Sequence, residues 1–123
     1  MRTLLIVDDE DGVRALVRMT LDSAGYEIIE AADGRRALEL AREHRPDLIL
    51  LDVMLPDVSG LEICRQLKSQ PELSSTTVIM LTARAQSSDV GDAEEAGADG
   101  YFTKPFSPLA LTRKVEDVLG AVL

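Results

Sequence analysis

This sequence has one cysteine, no basic cluster and no long hydrophobic run, and each shortage excludes a class of protein. With Cys64 as the only cysteine, neither an internal disulfide nor a metal site built from several cysteines can form, and Cys64 is expected in a helix core. The longest apolar runs have four residues, as in Leu48–Leu51, which is far too short to span a bilayer. The N-terminus shows no signal-peptide pattern, because only five residues separate Met1-Arg2 from Asp8. We therefore expect a cytoplasmic protein.

Positive charge is also scarce. The chain has 13 Lys and Arg residues against 22 Asp and Glu residues, which gives a formal net charge of -9. Binding to phosphate backbones depends on clustered Lys and Arg, so the composition argues against direct contact with nucleic acid or an anionic membrane. With 46% apolar and 28% charged residues over 123 positions, the chain is typical of a single globular domain, residues 1–123.

Short apolar runs alternate with segments of helical period along the chain. The predicted strands are Leu4–Val7, Tyr26–Ile29, Leu48–Leu51, Val78–Leu81 and Tyr101–Thr103. The predicted helices run from Val13 to near Gly25, from Asp33 to about Glu43, from near Ser59, from Ser87 to Ala96, and from Ser107-Pro108 onward. This alternation predicts an α/β fold: a single five-stranded parallel sheet with five helices on its two faces. For such a doubly wound sheet we assume the flavodoxin-like strand order 2-1-3-4-5.

Polar side chains follow four of the predicted strands. Asp8 and Asp9 come directly after the first strand, and Asp52 follows the third. The fourth strand ends at Thr82, and the fifth leads to Lys104. In open α/β sheets, ligands bind beyond the carboxyl ends of the strands, where the strand order reverses. The sequence therefore predicts that three carboxylates, a hydroxyl and an ammonium group converge at one edge of the sheet.

These groups suggest a particular chemistry. Clustered carboxylates raise one another's pKa values unless a cation neutralises them. Mg²⁺, which prefers oxygen ligands and retains several waters, meets that need. A carboxylate can also act as a nucleophile toward a phosphoryl group, whose oxygens a metal, a lysine and a hydroxyl would hold.

At these residues the chain resembles the receiver domain of two-component response regulators, which has the fold of the chemotaxis receiver. The matching segments are Ile6–Glu10, Leu51–Pro56 with Gly60, Leu81–Ala83, Gly97-Ala98 and Lys104–Phe106. Each segment alone is weak evidence, whereas all of them together, in order and at strand ends, are specific. The resemblance covers essentially the whole chain.

The resemblance implies a magnesium-dependent phosphoryl acceptor. Asp52 would take a phosphoryl group from a histidine kinase or a phosphotransfer protein. Asp9 and Asp52 would bind Mg²⁺ directly, together with the main-chain carbonyl of Met54, and Asp8 would act through water. Glu10 extends the acidic cluster and is expected to face solvent rather than a metal-bound water.

The resemblance also implies how the signal reaches a partner. Thr82 and Lys104 would contact the phosphoryl group, and Tyr101 would be an aromatic switch that turns inward as Thr82 moves. An output domain or partner protein would then read the surface of the fourth helix, fifth strand and fifth helix. The Lys104-Pro105 peptide bond is usually cis in this family. Such a protein is a regulatory switch that catalyses only its own phosphorylation and dephosphorylation.

Several alternatives stay open. Receivers of winged-helix regulators typically dimerise through charged pairs, but Gly100, Ala110 and Lys114 stand where that subfamily tends to have Asp, Glu and Arg. A homodimer is therefore possible but not specified. A phosphatase or phosphomutase with an aspartate nucleophile usually has a second Asp where this chain has Met54. A flavin-binding module would need a phosphate-binding loop in place of the acidic Asp8–Glu10. A receiver that signals without phosphorylation would not need the complete set of site residues.

Overall fold

The structure, a computed structural model, describes residues 2–82 and 94–120. Its strands are β1 (Thr3–Val7), β2 (Glu27–Ala31), β3 (Leu48–Asp52), β4 (Thr77–Thr82) and β5 (Gly100–Thr103). The helices in these residues are α1 (Asp11–Asp22), α2 (Gly34–His44), α3 (Gly60–Lys68) and a last helix, Pro108–Leu119, and a short 3₁₀ turn spans Pro71–Leu73. Most of the predicted helix Ser87–Ala96 lies outside the described residues.

The strands form one parallel sheet of order β2-β1-β3-β4-β5, which confirms the predicted order. The central strands β1 and β3 are almost completely buried, as their continuous apolar sequences require. The strand β2, whose sequence contains two glutamates, lies at one edge of the sheet. The strand order reverses between β1 and β3, so the crevice of the sheet lies beyond their carboxyl ends.

The bounds of β2 differ from the prediction by one residue at the start and two at the end. Tyr26 was predicted to begin this strand, but its N–H donates to the carbonyl of Leu21 at 3.1 Å and closes the turn after α1. The strand instead continues through Glu30 to Ala31, where it pairs with the last residues of β1. This extension carries β2 up to the start of the acidic loop.

Three of the helices begin beside a residue that was predicted to lie near their start and whose side chain caps them. Asp33, Ser59 and Ser107 accept backbone N–H groups from α2, α3 and the last helix, respectively. Pro108 occupies the first turn of the last helix, where its missing N–H costs little. By contrast, α1 follows Glu10, whose side chain makes no capping hydrogen bond.

The sheet separates two apolar cores, because alternate residues of each strand point to opposite faces. On one face Leu5 and Val7 pack with residues from α2 and α3, and on the other Leu4 and Ile6 pack with residues from α1 and the last helix. Cys64 lies in the first core, as expected, and burial raises the pKa of its thiol to about 11. Among the helices that the structure describes, none is long and apolar enough to cross a bilayer.

Candidate functional site

The carboxyl ends of the strands bring Asp8, Asp52, Thr82 and Lys104 to the crevice. Asp8 follows β1, Asp52 ends β3, Thr82 ends β4, and Lys104 follows β5. Within residues 2–82 and 94–120, four polar or charged residues are buried, and all of them except Thr76 belong to this group. Buried polar groups are costly unless they are paired, so their concentration here marks a site.

Lys104 lies between the two buried carboxylates. Its Nζ atom is 2.6 Å from Oδ2 of Asp8 and 3.4 Å from Oδ2 of Asp52. Its backbone N–H donates to the carbonyl of Thr82 at 2.8 Å, which fixes the start of the loop after β5. The Lys104-Pro105 peptide bond is cis, as the resemblance implied. The structure therefore brings together the predicted nucleophile, one predicted metal-site acid and the predicted lysine.

Each buried carboxylate has one oxygen held by the backbone and one that faces Lys104. Oδ1 of Asp8 accepts the N–H of Glu10 at 2.9 Å, and Oδ1 of Asp52 accepts the N–H of Met54 at 3.2 Å. Oδ2 of Asp8 is buried and, among the described residues, accepts no well-directed hydrogen bond despite its close approach to Lys104. That contact is therefore an ion pair, and the oxygen keeps the capacity to accept from a further partner.

Burial and neighbouring charge control protonation at the site. Burial raises the pKa of Asp52 above its ordinary value, and the charge of Asp8 adds to this effect, while the Met54 N–H and Lys104 oppose it. Burial works against the charge of Lys104, but its close contact with Asp8 and the negative charges of Asp52 and Asp8 outweigh burial and raise its pKa. Lys104 is therefore a cation at neutral pH beside a carboxylate that water solvates poorly.

The acidic loop Asp8–Glu10 supplies a second group of oxygens at the mouth of the crevice. Asp8, Asp9 and Glu10 each have a carboxylate oxygen within 4.8 Å of those of the other two. Asp9 and Glu10 are exposed, which agrees with the expectation that Glu10 faces solvent, although Nζ of Lys104 lies 3.9 Å from its Oε1. A set of carboxylate oxygens that is open to water on one side suits a hard cation that keeps part of its hydration shell.

Two predicted site residues lie farther out. The side chain of Met54 is 76% exposed, while its backbone contacts Asp52 as described above. Tyr101 lies in β5 beside Met80 of β4, and its side chain is 38% exposed. The role of Tyr101 as a switch and that of the Met54 carbonyl as a ligand stay predictions.

Gly60 is needed because it packs directly on the backbone of Asp52. A Cβ atom at this position would lie 2.0 Å from the carbonyl oxygen of Asp52 and 3.0 Å from the Cα of Val53. The Gly60 N–H also donates to the carbonyl of Val53 at 2.9 Å. The first residue of α3 therefore supports the segment that carries Asp52.

Sequence reasoning missed two residues that hold the site loops. Asp57 accepts the N–H groups of Gly34 and Arg35 at 2.9 and 3.0 Å, which ties the loop after β3 to the start of α2. These bonds lower the pKa of Asp57, with Gly34 contributing most. Arg14 donates from NH1 to the carbonyl of Asp8 at 2.6 Å. The only sequence signal for Arg14 was a cation in the first turns of a helix, where positive charge is unfavourable.

The sheet order and the acidic crevice define a flavodoxin-like α/β protein of the chemotaxis-receiver type. The family model for the response regulator receiver domain matches residues 4–116. The chain therefore belongs to the response regulator receiver domain family of two-component signalling.

Similar proteins differ in length. The chain is 42% identical over 118 residues to the alkaline phosphatase synthesis transcriptional regulatory protein PhoP of Bacillus subtilis, covering 96% of this chain but 48% of that protein. It is 40% identical to the polar-differentiation response regulator DivK of Brucella anthropi, covering 97% of both. The solved structure of the chemotaxis protein CheY4 of Vibrio cholerae superposes with a TM-score of 0.92 at 36% identity, covering 96% of this chain and 98% of CheY4. The chain thus spans about half the length of some curated relatives.

Proposed function

We propose that Asp52 accepts a phosphoryl group from a phosphohistidine of a partner kinase or phosphotransfer protein and thereby switches a signalling surface. The observation that carries this proposal is the buried Asp52 carboxylate, which shares the Lys104 ammonium with Asp8 at the crevice of the sheet. A single structural carboxylate would not require a second buried acid beside it. The two acids and the lysine instead form a pocket for a group with several negatively charged oxygens.

The transfer is a substitution at phosphorus. A lone pair of Asp52 Oδ2, which accepts no backbone N–H from the described residues, forms the new O–P bond as the N–P bond of phosphohistidine breaks. The electron pair of the broken bond stays on the leaving imidazole nitrogen. Lys104, whose ammonium lies 3.4 Å from this oxygen, offers a positive charge to the incoming phosphoryl oxygens. The Thr82 hydroxyl would hold another of these oxygens at the end of β4.

The donors at the site fit Mg²⁺. They are carboxylate oxygens, some exposed to water, together with a buried Asp8 oxygen that accepts no well-directed hydrogen bond from the described residues. Asp9, Asp52 and the Met54 carbonyl would hold the ion directly, and Asp8 would hold it through water. When bound, the ion would neutralise charge on the phosphoryl oxygens.

The structural change that follows phosphorylation would reach an output domain or partner protein through β5 and the last helix. Tyr101 on β5 would follow Thr82, and Tyr101 and Leu109 already expose apolar surface, 38% and 61% of their side chains. We further propose that residues 1–123 act as one receiver domain, since the described strands from Thr3 to Thr103 share one sheet. We propose a cytoplasmic location for this chain, because the donor kinase would draw its phosphoryl group from ATP.

Acetyl phosphate tests this proposal without the unidentified kinase. The wild-type protein should gain the mass of one phosphoryl group in the presence of Mg²⁺ and should lose this gain in EDTA. Asp52→Asn should abolish the gain, whereas Asp22→Asn, in an exposed aspartate at the far end of α1, should retain it. Unchanged labelling of Asp52→Asn would refute the proposal. Repeated turnover of a phosphomonoester would favour a phosphatase instead.

A further inference from the structure

The side chain of Arg14 folds back from α1 onto the acidic loop. Arg14 is the fourth residue of this helix, and its side chain is only 15% exposed. NH1 donates to the carbonyl oxygen of Asp8 at 2.6 Å, and Nε lies 3.3 Å from Oε1 of Glu30. NH2 also contacts the carboxylate of Asp11. The guanidinium therefore connects the acidic loop, the start of α1 and the edge strand β2.

This position is an unfavourable one for a positive charge in general. The N-terminal turns of a helix carry a partial positive charge, which repels cations. Burial adds a further desolvation cost. Glu30 and Asp11 offset these costs, and the planar fork of the guanidinium allows one side chain to serve acceptors in different directions. An arginine at this position does not stabilise the helix, because the helix dipole repels its charge. Its contact with the Asp8 carbonyl is therefore the better explanation for its presence here.

We infer that Arg14 is a positioning residue that fixes the conformation of the loop Asp8–Glu10. What this loop would bind rests on the proposed function. With Arg14 in place, both backbone groups of Asp8 are held: its carbonyl accepts from Arg14, and its N–H donates to the carbonyl of Ala31 at 3.1 Å. The Asp8 side chain is then directed at Lys104, and the chain leaves the sheet with Asp9 at the crevice mouth. Without Arg14, the peptide after Asp8 loses the contact at its carbonyl and depends on the Glu10 N–H that donates to Asp8, so the carboxylate of Asp9 is less firmly placed.

Arg18 provides a matched control one turn farther along α1. Its Nε lies 2.6 Å from Oε2 of the same Glu30, and its NH2 donates to the carbonyl of Ile28 at 3.2 Å. Both of these partners belong to β2. Replacement of Arg18 therefore removes a cation from the same helix and the same ion-pair group, but not the contact with the acidic loop.

The first measurement needs no metal. In EDTA, amide hydrogen exchange followed by NMR should show that the Glu10 N–H, which donates to Asp8, exchanges at least tenfold faster in Arg14→Gln than in the wild type. Arg18→Gln should leave this rate within about twofold of the wild type. Equal exchange rates for Glu10 in the two variants would overturn the inference.

The second measurement is Mg²⁺ affinity, taken from the same amide signals during a titration with MgCl₂. Arg14→Gln should weaken binding at least fivefold, Arg18→Gln less than twofold, and Arg14→Lys by an intermediate factor, because lysine can reach one acceptor but not three. If Arg14→Gln does not fold, Arg14→Lys decides the question, and wild-type affinity in it would contradict the inference. A wild-type protein that takes up neither Mg²⁺ nor phosphate refutes the proposed function, whereas the exchange comparison still decides the role of Arg14.

Discussion

The arrangement of Lys104 between two buried carboxylates lowers the stability of the fold when no ligand is bound. Ions taken out of water lose hydration, and a pair regains that loss only with good geometry and additional hydrogen bonds. Here one ammonium serves two buried acids, and the carboxylate of Asp52 has a raised pKa because of its burial and the charge of Asp8. The site therefore lowers the stability of the fold, a cost that the proposed function of Asp52 as phosphoryl acceptor would explain.

We expect Asp52→Asn to increase the free energy of unfolding of the metal-free protein at neutral pH. Because the native pKa of Asp52 is raised, native protein is destabilised once the pH passes the ordinary value of 3.8, and the penalty is complete above the raised pKa. The gain from Asp52→Asn should therefore be largest at neutral pH and should shrink as the pH falls toward 3.8. Urea unfolding in EDTA at several pH values measures it. A variant less stable than the wild type at pH 7 would contradict this explanation.

Much of the fold was predictable because its signals are local. The apolar runs gave the strands, and the positions of Asp33, Ser59 and Ser107 gave three helix starts, since capping depends on residues only two or three positions apart. The bounds of β2 were not predictable, because its start depends on the turn that Tyr26 closes and its end depends on pairing with β1.

The residues of the site were easier to predict than the contacts that hold the surrounding segments together. The site aspartates and Lys104 were found because they follow strands that end at the same edge. Asp57 was missed because its partners Gly34 and Arg35 lie 23 and 22 residues away, at the start of α2. No periodicity in the sequence reports such packing.

The start of α3 should tolerate no side chain at Gly60. A Cβ atom there would lie 2.0 Å from the Asp52 carbonyl, so Gly60→Ala must displace the backbone of one of the two segments. We expect a loss of about 1–3 kcal/mol in the free energy of unfolding, the usual cost of overpacking, and slower labelling by acetyl phosphate. Gly12→Ala is the control, since a Cβ at Gly12 meets nothing within 4 Å. Equal stability and labelling of the two variants would show that the close approach is relaxed in solution.

Lys68 at the end of α3 ties this helix to the sheet. Its Nζ donates to the carbonyl of Thr76 at 2.7 Å and lies 2.7 Å from Oδ2 of Asp99, which also accepts the N–H of Val78. Lys68→Met should cost about 1–2 kcal/mol in urea unfolding, because it removes the donor to the partly buried carbonyl of Thr76. Arg65→Met, which removes an exposed pair with Glu62, should change stability by no more than about 0.5 kcal/mol. Similar losses in both variants would mean that Lys68 is only a surface charge.

The negative net charge of the whole chain favours the binding of cations, as the acidic cluster at the crevice does. At a formal charge of -9, with clustered acids at the crevice, the folded protein should gain stability from cations in general and from Mg²⁺ in particular.

Mg²⁺ should therefore raise the melting temperature more than NaCl does at equal ionic strength. A free Mg²⁺ concentration 100 times the dissociation constant would add about 2.7 kcal/mol if the ion binds only the native state. Asp9→Asn should remove most of this difference, while Asp22→Asn, at the far end of α1, should keep it. Thermal unfolding by circular dichroism gives both values. An equal effect of the two salts on the wild type would mean that only general screening acts.

Reductive trapping of the phosphorylated protein tests the assignment of Asp52 most directly. After reaction with acetyl phosphate and Mg²⁺, borohydride reduces an aspartyl phosphate to homoserine, and peptide mass spectrometry locates the converted residue. We predict conversion at Asp52 alone and none in EDTA. Homoserine at Asp8, Asp9 or Asp57, or a phosphorylated protein with no homoserine, would contradict the assignment of Asp52 as the phosphoryl acceptor.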